Sequence, residues 1–181
     1  MGNRMHGDDG IGPCLAYALL KCSDRPKGLS IFPLDLPSHG DIALFEEPEV
    51  ILLVDATPEP GVRLYRLEPK NLSDTEMLKL AQAGAGHSIS PITLVALAAS
   101  AGLLEGKRVY LLALGPLEPS FGRGLSDRAI DIALKAIDEI IRFLESHGCE
   151  IRVSLECVHS LLAGPCSDPL APLSEASPED S

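Results

Sequence analysis

Apolar positions along the chain fall into two spacings. Val50-Ile51-Leu52-Leu53-Val54 is a continuous, branched apolar run that stops at Asp55. Such a run fits a strand covered on both faces of a parallel sheet. Val109 to Leu114 is a second run of this kind, and Val62 to Leu67 alternates apolar with polar, as a strand nearer an edge does. Ile31 to Leu36 reads as a strand ended by Pro37-Ser38-His39-Gly40. Ile151 to Val158 reads as a half-buried edge strand, because Ile151, Val153 and Leu155 alternate with Arg152, Ser154 and Glu156. Helical spacing is clearest at Ala129, Ala133, Ile137, Ile140, Ile141 and Leu144. Ser126 is placed to cap that helix at its start, and Gly148 to end it. Pro91 to Leu103 predicts another helix and Asn71 to Ala81 a short one. Cys14 to Leu20 predicts a short buried helix with Pro13 at its first position, where a missing N–H costs nothing.

Strands alternating with helices specify an α/β fold, with a mainly parallel sheet covered by helices on both faces. A chain of 181 residues suits one core, assigned to residues 1–165. Cys166 to Ser181 is rich in proline, serine and acid and is expected to be a disordered tail.

Composition narrows the function. A formal charge of −11, with no basic stripe, sets nucleic acid aside as a partner. No apolar run reaches the ~18 residues of a membrane span. The first residues carry no charged-then-apolar export signal, so a cytoplasmic location is expected. Five cysteines, Cys14, Cys22, Cys149, Cys157 and Cys166, are an odd number at spacings that match no zinc pattern. They are read as reduced thiols, the first two facing the core from a helix.

Ligands of parallel α/β sheets bind at the carboxyl ends of the strands, where Asp55 stands. An aspartate there is also an ordinary turn former or helix cap. Asp8-Asp9-Gly10 is ambiguous in the same way. The glycines around it, Gly7, Gly10 and Gly12, do not make G-x-G-x-x-G, and two adjacent carboxylates would repel a pyrophosphate, so this loop suits a cation better. His87, taken alone, fits a helix cap or a surface histidine as well as a ligand. His6 and His39 fit solvated loop positions, and Glu118 fits either an orienting group or a loop cap.

Taken together, these segments resemble a known family. Gly2-Asn3-Arg4-Met5-His6-Gly7-Asp8-Asp9-Gly10-Ile11-Gly12 resembles the opening motif of the [NiFe]-hydrogenase maturation endopeptidases. Asp35 with Ser38 and Gly40 is similar to the family's D-G-G-T-x-G segment, with Pro37 in place of a glycine. Val54-Asp55-Ala56 resembles its V-D-A strand end, and Pro60-Gly61-Val62 through Leu67 its P-G-T-V-x-x-L hairpin. Gly86-His87-Ser88 followed by Leu94 resembles its histidine segment. Gly115-Pro116-Leu117-Glu118-Pro119 with Gly124-Leu125-Ser126 resembles its late loop. The motifs run in family order from Gly2 to about Glu150. Members carry an apolar strand before Gly-Asn; here the chain starts at Met1-Gly2, so that strand is expected to be absent.

The resemblance implies a phosphorylase/hydrolase-like three-layer sandwich with a twisted sheet. It implies a cytoplasmic, aspartic-type endopeptidase that removes the C-terminal extension of a hydrogenase large-subunit precursor once nickel is inserted. Asp9, Asp55 and His87 match the family's metal site, which meets substrate-borne nickel and accepts other divalent metals. Carboxylate plus imidazole suits such ions, and three protein ligands leave positions open. Asp9, Asp55 or Asp35 could serve as base for an activated water. No Ser-His-Asp set and no H-E-x-x-H is present. The alternative is a non-catalytic protein that binds the metal-loaded precursor.

Overall fold

A computed structural model describes residues 1–24, 26–68 and 89–173. Among the described residues three strands form one sheet: β1 (Val50–Ala56), β2 (Gly61–Leu67) and β3 (Arg108–Gly115). The order is β1-β3-β2, so β3 is central among the described strands. β1 pairs with β3 in parallel, from Val50 opposite Arg108 to Ala56 opposite Leu114. β2 pairs with β3 antiparallel, from Gly61 opposite Gly115 to Leu67 opposite Val109. The fold is mixed α/β. The described sheet holds one parallel and one antiparallel pair, where a mainly parallel sheet was expected. The alternation of Val62–Leu67 correctly marked an edge strand.

Among the described residues four helices surround this sheet: α1 (Ile11–Cys22), α2 (Pro91–Ser100), α3 (Asp127–Ser146) and α4 (Leu155–Ala163), the last packed on α1 and α3. Successive strand residues point to opposite faces, and the two apolar clusters follow that alternation. Leu52, Val54, Leu112 and Leu114 join α1, α3 and α4 in one cluster. Ile51, Leu53, Val109 and Leu111 join α2, Met1 and Phe45 in the other. Ser126 caps α3 by accepting the Ala129 N–H at 3.1 Å, as its sequence position predicted. The α3 residues Ala129, Ala133, Ala136 and Ile137 are fully buried.

Several segments differ from expectation. Ile31–Leu36 is not a strand; its only ladder contact is a parallel bridge from Asp35 to Gly2. Pro33 lacks the N–H that a ladder needs, which confines such a segment to an edge contact. Ile151–Val158 does not join the sheet either. Val153 bridges Ser23 at the end of α1, and Ser154 then caps α4, accepting the Cys157 N–H at 3.4 Å. The alternation ends at Ser154, and Val158 and Leu162 repeat at helical spacing, both fully buried. Helix α1 starts two residues before Pro13, which is still tolerated because the first four N–H groups of a helix have no internal partner.

The cysteine expectation also fails in part: Cys22 and Cys157 form a disulfide joining α1 to α4, with their Cα atoms 5.7 Å apart. Cys14, Cys149 and Cys166 are free. The segment read as tail remains packed to Leu173. Pro165–Ser167 is a 3-10 turn with Cys166 buried. Arg4 donates to the carbonyls of Pro165, Asp168 and Ala171 at 3.2, 2.8 and 2.8 Å. The short helix expected at Asn71–Ala81 lies outside the described residues.

Candidate active site

Two short turns carry the first acidic loop. Asn3 accepts the Met5 N–H through its side-chain oxygen at 3.0 Å and caps the turn Arg4–His6. Gly7, at φ 64°, leads into the turn Asp8–Gly10, a backbone position that side chains rarely adopt. The two adjacent aspartates then separate in role. Asp8 is buried and accepts the Ser126 N–H at 2.8 Å and the Ser126 hydroxyl at 2.9 Å. Asp9 is half-buried and is not tied in this way.

Gly12, at the start of α1, brings this loop to the end of β1. A Cβ on Gly12 would overlap the carbonyl oxygens of Met1 and Val54. Only glycine lets the helix approach this closely, so the register of α1 on β1 also sets Asp9 beside Asp55. Asp55 lies near the C-terminal end of β1, opposite Ala113, on the face that α2 covers.

Burial raises the Asp55 carboxyl to about 7, the Asp9 charge adds to the rise, and the Met1 ammonium and the Ala56 N–H oppose it. The Asp9 carboxyl is also raised, chiefly by burial and further by Asp35, against the pull of His6, the Asn3 N–H and the Met1 ammonium. Asp9 acts on Asp55, Asp35 acts on Asp9, and all three act on the Met1 ammonium, which places them in one electrostatic neighbourhood. Two desolvated carboxylates, one raising the other's affinity for a proton, suit a cation between them.

Beside Asp55 opens a cleft of about 310 Å³, lined by Thr57, Glu59, Tyr65 and the α2 start at Ser90 and Pro91. It lies beside Asp55 and Ala56 at the end of β1 and beside Leu111 and Ala113 of β3. Asp35 does not line this cleft. It is exposed and accepts the Arg4 N–H at 3.0 Å. His6 is exposed, with its ring edge-to-face on Phe121 at 5.6 Å. His39 and Glu118 are both exposed. His87 lies outside the described residues. Among the described residues no three His, Cys, Asp or Glu side chains converge as a metal-binding set.

The sequence alone did not mark Arg4 as buried, nor Ser126 as the partner of Asp8. A capping serine two motifs away gives no sign that its own N–H and hydroxyl are used by a distant acid. Arg4 stood in a polar glycine-rich loop, where an arginine is normally solvated.

No protein-family model matches the chain, and no curated protein matches it. Solved structures do. It is similar to the hydrogenase maturating endopeptidase HybD from E. coli, with a TM-score of 0.60 and 18% identity, over 86% of this chain and 94% of that one. A hydrogenase 2 maturation peptidase from a Thaumarchaeota archaeon gives a TM-score of 0.54 and 27% identity, over 82% and 95%. The [NiFe] hydrogenase maturation protease HycI from Thermococcus kodakarensis gives 0.53 and 20%, over 80% and 88%. The chain therefore carries the fold of the hydrogenase maturation endopeptidases along most of its length, and the family resemblance seen in its motifs extends to its structure.

Proposed function

We propose that this protein is an endopeptidase of hydrogenase maturation, which removes the C-terminal extension of a [NiFe]-hydrogenase large-subunit precursor after nickel insertion. One observation carries the reading. Asp9 and Asp55, from separate elements, meet at the β1 end with raised proton affinity, in a chain with this fold.

The third group in this reading is His87. Ser90 lines the same cleft as Asp55, and His87 precedes it by three residues. A three-residue span reaches at most roughly 10 Å. Nickel belongs to the substrate here, held by the precursor's own ligands. Asp9, Asp55 and His87 offer it oxygen and nitrogen donors, which favours the loaded precursor over the empty one.

The protein's own residues then have defined tasks. Asp9 and Asp55 face the loaded substrate as anions. Near neutral pH one of them remains close to its protonation midpoint, so it is able to take a proton from an attacking water. Asp35, exposed and acting on the Asp9 carboxyl, is the second candidate for that base. Asp8 and Ser126 hold the loop in place.

Mass spectrometry of the precursor tests the proposal. Incubation should shorten the nickel-loaded precursor at its C-terminus and leave the nickel-free form intact, and Asp55→Asn should abolish the shortening. Cutting of both forms alike would defeat metal gating. Stable binding of the loaded form without cutting would establish the non-catalytic alternative.

A further inference from the structure

Cys14 and Cys166 meet in the core and take no part in the Cys22–Cys157 bridge. Cys14 lies in the first turns of α1 and Cys166 in the turn Pro165–Ser167. Their exposures are 0% and 2%, and both belong to the same apolar cluster. The Cys14 thiol is hydrogen-bonded to Cys166, and the Arg4 guanidinium lies beside both.

Arg4 is itself only 5% exposed. Its two terminal nitrogens are used by the carbonyls of Pro165, Asp168 and Ala171, in the segment that carries Cys166. Its Nε–H is buried and has no acceptor among the described residues. A buried cation with an unused donor is costly unless an anion forms beside it. The neighbouring Asp35 carboxylate accepts the Arg4 backbone N–H, makes no ion pair with the guanidinium and opposes ionisation of Cys166; the other groups at hand that can become anionic are the two thiols. Two apolar side chains of this size would pack equally well and would not require a guanidinium at their side.

We propose that Cys14 and Cys166 are a redox-active dithiol, oxidised to a second protein disulfide by a small-molecule disulfide, with Arg4 supporting the thiolate that starts the exchange. Cys166 is the attacking group. Hydrogen bonding from Cys14 and the Arg4 charge ease its ionisation, whereas Cys14, the donor, retains its proton. Opening of the 165–173 segment admits the reagent. The Cys166 thiolate, its proton lost to solvent, attacks one sulfur of R–S–S–R and expels one thiolate RS⁻. Cys14 then loses its proton and attacks the Cys166 sulfur of the mixed disulfide, expelling the second RS⁻. The S–H bonds of both cysteines are broken and one S–S bond is made. The protein loses two electrons, and the reagent, with the two released protons, becomes two RSH.

The product staples residues 165–173 to the start of α1. Arg4, which grips that segment, precedes Asp9 by five residues. Oxidation therefore fixes the loop that carries the first acid of the candidate site.

The test uses the full chain and oxidised glutathione as the disulfide. Denaturing alkylation and intact mass count free thiols before and after, and peptide mapping locates the links. Three labels should fall to one, on Cys149, with a Cys14–Cys166 linked peptide and no retained glutathione. Cys14→Ser should stop at a glutathione adduct on Cys166. Arg4→Lys, checked to unfold at a temperature close to wild type, should convert at least tenfold more slowly. Three labels persisting at equilibrium, or a link formed through Cys149 instead, would overturn the dithiol. An unchanged rate in folded Arg4→Lys would remove Arg4 from it.

Discussion

Ser126 donates to Asp8 twice, from its backbone N–H at 2.8 Å and from its hydroxyl at 2.9 Å. The same hydroxyl oxygen accepts the Ala129 N–H at 3.1 Å. One serine therefore starts α3 and anchors the loop that presents Asp9. The pairing separates two adjacent acids that are chemically identical in the sequence: Asp8 is buried and holds the loop, and Asp9 is half-buried and acts on Asp55.

Asp8→Ala should accordingly destabilise the fold. It removes the charged acceptor of both the Ser126 N–H and its hydroxyl, a loss of ~1.5–3 kcal/mol. Asp9→Ala should cost little stability, because it removes a half-buried charge that opposes ionisation of Asp55. In a precursor-processing assay the order reverses, with Asp9→Ala the more damaging. Urea unfolding of the two variants measures the first contrast. Equal stability losses would show that Asp8 has no special anchoring role.

Stability should fall as pH rises through the window in which only the unfolded Asp55 ionises. Burial lifts its carboxyl from 3.8 to about 7, so between those values the native state holds a proton that the unfolded chain releases. The decline is bounded by ~1.4 kcal/mol per pH unit for one group, and it levels off above pH 7. Asp9, shifted in the same direction, adds to it. Thermal unfolding of the metal-free protein from pH 5 to 8 should show this slope, and Asp55→Asn should flatten it. Because the buried Met1 amine, its pKa lowered by desolvation, contributes the opposite slope, the decisive comparison is with the variant: the same slope in wild type and Asp55→Asn would contradict the raised carboxyl.

The Cys22–Cys157 bridge spans 135 residues of sequence. In the chain-entropy account, closing so long a loop restricts the unfolded chain by about 5 kcal/mol, at the upper end of what disulfides contribute. Cys157→Ser should therefore lower the unfolding midpoint by several degrees or more. A midpoint unmoved in oxidising buffer would mean that the bridge does not form in solution.

The elements read correctly from sequence share one property: their period was long and uninterrupted. The α3 stripe from Ala129 to Leu144 and the runs Val50–Val54 and Val109–Leu114 left no competing pattern. Where two periods met, the reading failed. Ile151, Val153 and Leu155 alternate, but Ser154 is a cap and the next buried residues, Val158 and Leu162, belong to a helix. Pro33 inside Ile31–Leu36 was a warning that the apolar count outweighed. The Cys22–Cys157 bridge was illegible because pairing depends on where α1 and α4 meet, and 135 residues of sequence carry no such information. Asp9 and Asp55 were identified through the motifs around them. The burial that raises both carboxyls depends on how closely α1 is seated on β1 at Gly12, which no motif displays.

Metal binding provides the sharpest check on the proposed ligands. Asp9 and Asp55 each hold a proton more tightly than a solvated carboxylate does, so a divalent ion must displace it. Binding should therefore release protons near pH 6, which calorimetry detects as a heat that varies with the ionisation enthalpy of the buffer. Three protein ligands do not complete the coordination shell, so nickel or zinc should bind weakly to the free protein. Asp55→Asn and His87→Ala should each lower that affinity at least tenfold, whereas replacing exposed His39 should leave it unchanged. The Asp55→Asn protein should also lose most of the buffer-dependent heat, because the amide carries no displaceable proton. His87→Ala should retain that heat at saturating metal, because both carboxylates remain. Equal affinity in wild type and His87→Ala would remove His87 from the site and leave a two-carboxylate centre that relies on ligands from the substrate.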